Sequence, residues 1–198
     1  MLKEILFASH NAGKIAEIKK MLAPFGISVK SAAELDLPDV EETGTTFAEN
    51  SLLKSQTLAK AANMVCIADD SGLCVDALDG APGVYSARYA PNRDFDKGMD
   101  KLLAAMEKSA NKSRAAHFSC VISYARPDGS YELFEGRVDG QIARQKMRGA
   151  DGFGYDPLFV PDGYTCSFAQ MSPAEKNKIS HRGRAMQKFK QFLEQQKD

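Results

Sequence analysis

Tryptophan is absent from the 198 residues, cysteine is scarce, and no apolar run is long. The four cysteines, Cys66, Cys74, Cys120 and Cys166, include no C-x-x-C pair. A chain of this size needs no disulfide staples, so they read as reduced packing thiols. The opening M-L-K-E-I-L-F-A-S-H is too short in apolar residues for a secretory signal, and nothing approaches the roughly 18 apolar residues of a membrane span. A cytoplasmic protein is expected. Net charge is also missing, because 26 Lys and Arg balance 26 Asp and Glu. That argues against a dedicated nucleic-acid or membrane-surface binder, which carries a basic excess. Repeats, low-complexity tracts and long linkers are absent as well. What remains is an ordinary globular mix, 43% hydrophobic and 26% charged. One domain of two lobes is expected, burying roughly 70% of its unfolded surface.

Mixed elements run throughout, which predicts an α/β class. K-E-I-L-F-A-S (3–9) reads as a buried strand. Ile15, Ile18 and Leu22 recur at helical spacing, so a helix over 14–23 follows, stopped by Pro24 and Gly26. A second strand is expected at 27–30, then an acidic loop over 34–45. T-F-A-E (46–49) is a capping box, with Thr46 as N-cap and Glu49 at N3, opening a helix to about Ala62. Val65 to Ala68 reads as a short strand. Loops over 79–94 lead to a helix over 96–108. Residues 117–125 and 131–138 flank P-D-G and read as a hairpin. A strand over 157–160, a helix start at S-P-A-E (172–175) and a last helix over 180–195 complete the chain.

Five stretches could carry chemistry. S-H-N-A-G-K (9–14) joins a strand to a helix N-terminus, where free N–H groups, the helix dipole and Lys14 suit phosphate. Its spacing is not that of a P-loop, and a plain turn with a solvated lysine is the alternative. I-A-D-D-S-G-L (67–73) sets Asp69 and Asp70 side by side. Side chains alternate along a regular strand, so both reach one site only if the chain bends toward Gly72. With Glu41 and Glu42 they offer hard oxygen ligands for Mg²⁺. The alternative is a turn capped by Asp70-Ser71 and a solvated Glu pair. G-A-D-G-F-G-Y-D-P (149–157) offers close backbone approach and the flat faces of Phe153 and Tyr155 for a purine, or else a bend with core aromatics. E-K-N-K-I-S-H-R-G-R (175–184) gathers Lys176, His181 and Arg182, or is solvated surface. Thr46, Asn50 and Lys54 share one helix face, turned toward a site or toward water.

Together, and in this order, S-H-N-A-G-K, E-E-T-G-T-T-F-A-E-N, A-D-D-S-G-L, G-A-P-G-V-Y-S-A-R-Y, G-F-G-Y-D-P-x-F and A-E-K-N-x-I-S-H-R resemble the inosine triphosphate pyrophosphatase family. The resemblance spans about residues 4 to 193. It implies an elongated two-lobed mixed-sheet fold with the active-site cleft between the lobes, and a homodimer. It implies Mg²⁺-dependent hydrolysis of dITP, ITP and XTP to monophosphate and pyrophosphate, cleansing the nucleotide pool.

The matching positions imply roles. Ser9, His10, Asn11, Ala12, Gly13 and Lys14 would hold the triphosphate, and Glu42 and Asp70 the metal. Asp70 is the implied proton acceptor, with Asp69 close by and able to share that work. Ser71 would contact substrate. Phe153, Gly154, Tyr155 and Asp156 would hold the nucleoside. Lys176, His181 and Arg182 would contact the nucleotide, the last two near the base edge. His10 departs from the small residue of many members, with a local effect on the loop or a phosphate contact. Arg182 only donates, so it suits the O6 acceptor of hypoxanthine and xanthine and rejects the amino group of adenine. Guanine shares O6, so its rejection has to act at the 2-amino group. Two other readings remain: a pyrophosphatase of modified pyrimidine nucleotides, and a nucleotide-binding protein without turnover.

Overall fold

The computed structural model describes residues 2–150 and 152–196. Six strands form one mixed sheet: β1 (Glu4–Phe7), β2 (Ser28–Ser31), β3 (Cys66–Val75), β4 (Ala115–Ala125), β5 (Tyr131–Ile142) and β6 (Phe159–Pro161), in the order β2-β1-β3-β4-β5-β6. β1 runs parallel to both neighbours, pairing Ile5 with Val29 and Leu6 with Cys66. β5 and β6 are antiparallel, with Gln141 opposite Val160. The α/β mixed-sheet expectation is met. None of the helices among the described residues is long and apolar enough to cross a membrane.

Burial explains the strands. Ile5, Leu6 and Phe7 are each at most 1% exposed, the continuous apolar run of a strand covered on both faces. β2 lies at the sheet edge and alternates, burying Val29 and Ser31 and exposing Ser28 and Lys30. β5 buries Phe134, Gly136, Val138, Gly140 and Ile142, every second residue.

Among the described residues, five α-helices accompany the sheet. Asn11 caps α1 (Ala12–Leu22), which buries Ile18 and Leu22 one turn apart and gives way to a 3₁₀ turn holding Pro24. α2 (Phe47–Ala62) begins at the capping box read from the sequence. Its buried face is polar near the start, at Asn50, Ser51 and Ser55, and apolar near the end, at Leu58 and Ala59. Asp94 caps α3 (Phe95–Lys108), which buries Met99, Leu102 and Met106. α4 (Pro173–Ile179) has Pro173 in its first turn, and α5 (His181–Gln195) ends the fold.

The chain divides into two compact units. Unit 1 holds residues 1–70, 121–134 and 188–198; unit 2 holds 71–120 and 135–187. The first has a core around Leu6, Ala32, Leu58, Ala59, Cys66 and Ala125. The second has a larger one including Leu73, Leu102, Phe118, Ile142, Phe159 and Phe168. Each fully buried Leu, Ile or Phe among them contributes about 1.5–3 kcal/mol.

One element departs from the sequence reading. The strand expected to end at Ala68 runs ten residues, from Cys66 to Val75, and Ser71-Gly72 forms no turn. The chain needs no bend there because both aspartates have partners along the regular strand, Lys14 for Asp69 and Asn50 for Asp70.

Candidate active site

In unit 1 the end of β1 leads into the turn at residues 8–11. Ser9 Oγ accepts from the Asn11 N–H at 3.1 Å, and Asn11 Oδ1 accepts from the Lys14 N–H at 3.0 Å. Ser9 and Asn11 thus shape the turn with their side chains. The N–H groups of Ala12 and Gly13, in the first turn of α1, have no intrahelical acceptor and mark the positive end of its dipole. His10 turns to the acidic loop: Nδ1 lies 2.7 Å from Asp39 and Nε2 lies 3.0 Å from the Leu37 carbonyl.

Asp69 and Asp70 are 5% and 8% exposed. Alternation along β3 sends them to different helices. Asp69 receives Lys14 Nζ on both oxygens, at 3.1 and 2.9 Å. Asp70 Oδ2 receives the Asn50 amide at 3.2 Å. Lys54 donates to Glu42 Oε1 at 2.7 Å and to the Asp69 carbonyl at 2.8 Å. Burial pulls the Lys54 ammonium down, but the charges of Asp69, Asp70 and Glu42 outweigh it and hold the group above its ordinary range. Thr46, Asn50 and Lys54 do share a face, and Asn50 and Lys54 turn it toward β3.

Behind the aspartates lies a network that the sequence reading did not find. Ser51 Oγ donates to the Ala68 carbonyl at 3.1 Å and meets Ser123 Oγ at 2.9 Å; Ser123 Oγ meets Ser55 Oγ at 2.8 Å. All three serines are fully buried. The signal was Ser51 and Ser55 at i, i+4 beside Asn50.

Glu42, Asp69 and Asp70 set three carboxylates against the two ammonium groups of Lys14 and Lys54. Their oxygens are hard donors, and the surplus is negative, so a small divalent cation fits the chemistry. Among the described residues no group of three or more His, Cys, Asp or Glu is arranged to hold a metal by itself. Two carboxylates with phosphate oxygens and water completing the shell is the usual Mg²⁺ pattern.

Unit 2 carries the other predicted residues. Ser71, half-buried, is its first residue on β3. The Gly-rich stretch follows β5, with Asp151 outside the described residues. Phe153 is 64% exposed, whereas Tyr155 is 2% exposed and donates to the Ser86 carbonyl at 3.1 Å. Tyr155 is thus a core residue, and its ring face is not open to a base. Burial pushes its hydroxyl well above the ordinary range. Gly154 takes φ 65°, a left-handed conformation that a side chain would strain.

Asp156 is 2% exposed, and its Oδ2 accepts from the Phe153 N–H at 2.7 Å and from Lys176 Nζ at 2.5 Å. That carboxylate holds the turn and Lys176 together. Phe95, not anticipated from the sequence, meets the Phe153 ring edge-on at 4.9 Å. Next to it Asp96 pairs with Lys146 at 3.0 Å and with Arg148, fastening the stretch before the Gly-rich loop. His181 stacks on Phe118 at 4.8 Å with planes 12° apart. Arg182, half-buried, follows in the first turn of α5.

A family model described as the Ham1 family matches residues 5–192. The chain is 49% identical over 189 residues to a dITP/XTP pyrophosphatase of Ruegeria pomeroyi, covering 93% of this chain and 92% of that protein. It is 48% identical over 202 residues to a dITP/XTP pyrophosphatase of Agrobacterium fabrum, covering 94% of each. The solved structure of a HAM1 protein from Coxiella burnetii superposes with a TM-score of 0.93 at 40% identity, over 98% of this chain and all of that one.

Proposed function

The chain belongs to the Ham1 family, and on that footing we propose that it hydrolyses non-standard purine nucleoside triphosphates to monophosphate and pyrophosphate. The substrates named for its relatives, dITP and XTP, are the expected ones, with ITP beside them. The observation that carries this reading is the cluster of buried Asp69 and Asp70 with half-buried Glu42, Lys14 and Lys54 beside a helix N-terminus. A plain solvated surface would not bury two adjacent aspartates and set half-buried Glu42, Lys14 and Lys54 against them.

Unit 1 takes the phosphates. Lys14 and the N–H groups of Ala12 and Gly13 hold phosphate oxygens and offset the charge that builds on them as water attacks. Ser9, His10 and Asn11 shape that turn. Lys54 adds a second ammonium. Glu42 and Asp70 would hold Mg²⁺, which when bound supplies further charge neutralisation and acidifies water. Asp70 accepts the proton of the attacking water. Asp69, bound through both oxygens to Lys14, serves as the counter-ion that holds this lysine.

Unit 2 takes the nucleoside. Ser71 contacts substrate, and the open ring of Phe153 stacks on the base, with Gly154 and Tyr155 setting its backbone. Asp156 holds Lys176, and His181 and Arg182 stand at the base edge. Arg182 pairs with O6 of hypoxanthine or xanthine, and an adenine amino group would leave it unsatisfied.

We further propose a cytoplasmic location, a reading supported by four free thiols and neutral charge, and a homodimer, as the family resemblance implies. The test is product analysis of dITP, XTP, dATP, dGTP and dTTP with Mg²⁺ and with EDTA. Pyrophosphate from dITP and XTP in Mg²⁺ alone is expected. Equal cleavage of dTTP would favour a pyrimidine enzyme, and no cleavage a binding protein.

A further inference from the structure

We propose that Asn50 is the positioning residue that fixes Asp70 and the Glu42 loop in one geometry. The inference rests on the assignment of Glu42 and Asp70 to the cation. Asn50 is fully buried in the second turn of α2. Asparagine is a poor helix former there, and its amide is costly to bury without partners. Both ends of the amide are engaged. Oδ1 accepts from the Gly44 N–H at 2.8 Å, and Nδ2 donates to Asp70 Oδ2 at 3.2 Å. A backbone N–H demands an acceptor and a carboxylate a donor, so only one amide orientation serves both.

The contact also sets residue 44. A Cβ there would lie 2.7 Å from Asn50 Oδ1 and 2.7 Å from Glu49 Cβ, so the loop needs glycine to come this close. Gly44 is two residues beyond Glu42. Thr45 is fastened next to it, its N–H and hydroxyl donating to Glu49 Oε2 at 2.7 and 2.9 Å. One turn along α2, Lys54 ties Glu42 to the Asp69 carbonyl. The contacts therefore close a ring: Glu42, Gly44, Asn50, Asp70, Asp69, Lys54 and back. Asn50 is its uncharged link, and it joins the segments that carry the two carboxylates. No other side chain in the ring both donates and accepts. Asn50 contacts neither phosphate nor base in this reading and acts through Asp70 and Glu42.

The test is Mn²⁺ binding to the nucleotide-free protein, followed by electron paramagnetic resonance, in wild type, Asn50→Ala and Gly44→Ala. Gly44→Ala disturbs the ring from the loop side and leaves Asn50 intact, so it keeps the test valid if Asn50→Ala does not fold. Thermal melting identifies folded variants. The expected result is a fall of at least fivefold in Mn²⁺ affinity in each folded variant. In dITP turnover kcat falls and more Mg²⁺ is needed for half-maximal rate, while KM at saturating Mg²⁺ stays within threefold. A smaller change in Mn²⁺ affinity, with only the melting temperature lowered, would make Asn50 merely structural and overturn the proposal. Wild-type protein that neither binds Mn²⁺ nor releases pyrophosphate would overturn the functional reading and this one with it.

Discussion

The acidic cluster of unit 1 and the aromatic turn of unit 2 each bind a lysine to a buried aspartate, yet they are built differently. In unit 1 Lys14 holds Asp69, and the surplus of carboxylates remains for a cation. In unit 2 Lys176 and Asp156 are matched one to one, and the open feature is the ring of Phe153. The first arrangement is unsettled in charge and suits phosphate and metal. The second is settled in charge and offers a flat apolar face, which suits a base. On the proposed function, the difference would place rate in one region and selectivity in the other.

The strongest way to break this division is Asp70→Asn. It should lower kcat/KM for dITP by at least about 10³, roughly 4 kcal/mol of transition-state stabilisation. Activity within tenfold of wild type would remove Asp70 from the chemistry. Lys14→Met should cost about 10² in kcat, as loss of one donor to developing charge does. It should also destabilise the fold by about 1–3 kcal/mol by removing the ammonium that binds both Asp69 oxygens. Adding Asp69→Asn should recover part of that stability in denaturant titrations, and strict additivity would contradict the pairing. Phe153→Ala should cost about 1–3 kcal/mol of stacking, seen in KM more than in kcat. A fall confined to kcat would move the base elsewhere. The smallest effect is Arg182→Ala, which should narrow the preference for dITP over dATP by about tenfold through loss of the O6 donor.

Much of this was legible in the sequence. The capping box at Thr46 and Glu49, the strand signal of 131–138 and Pro173 at a helix start are local signals, and each element formed there, the strand running on to Ile142. The length of β3 was not legible. Two adjacent aspartates and Ser71-Gly72 look like a strand end, and partners distant in sequence, Lys14 and Asn50 among them, make the aspartates bearable inside a sheet. The split between Phe153 and Tyr155 was hidden for a similar reason. Both are aromatic, and their roles are set by Phe95 and Ser86, which belong to other segments. Asn50 and Lys54 lay between these cases, since their spacing gave the shared face but not its direction.

The most direct test of the division is kcat/KM for dITP and dATP in wild type, Lys14→Met and Arg182→Ala. The account predicts that Lys14→Met slows both substrates by similar factors and preserves their ratio, while Arg182→Ala changes the ratio. A ratio altered as much by Lys14→Met as by Arg182→Ala would contradict it.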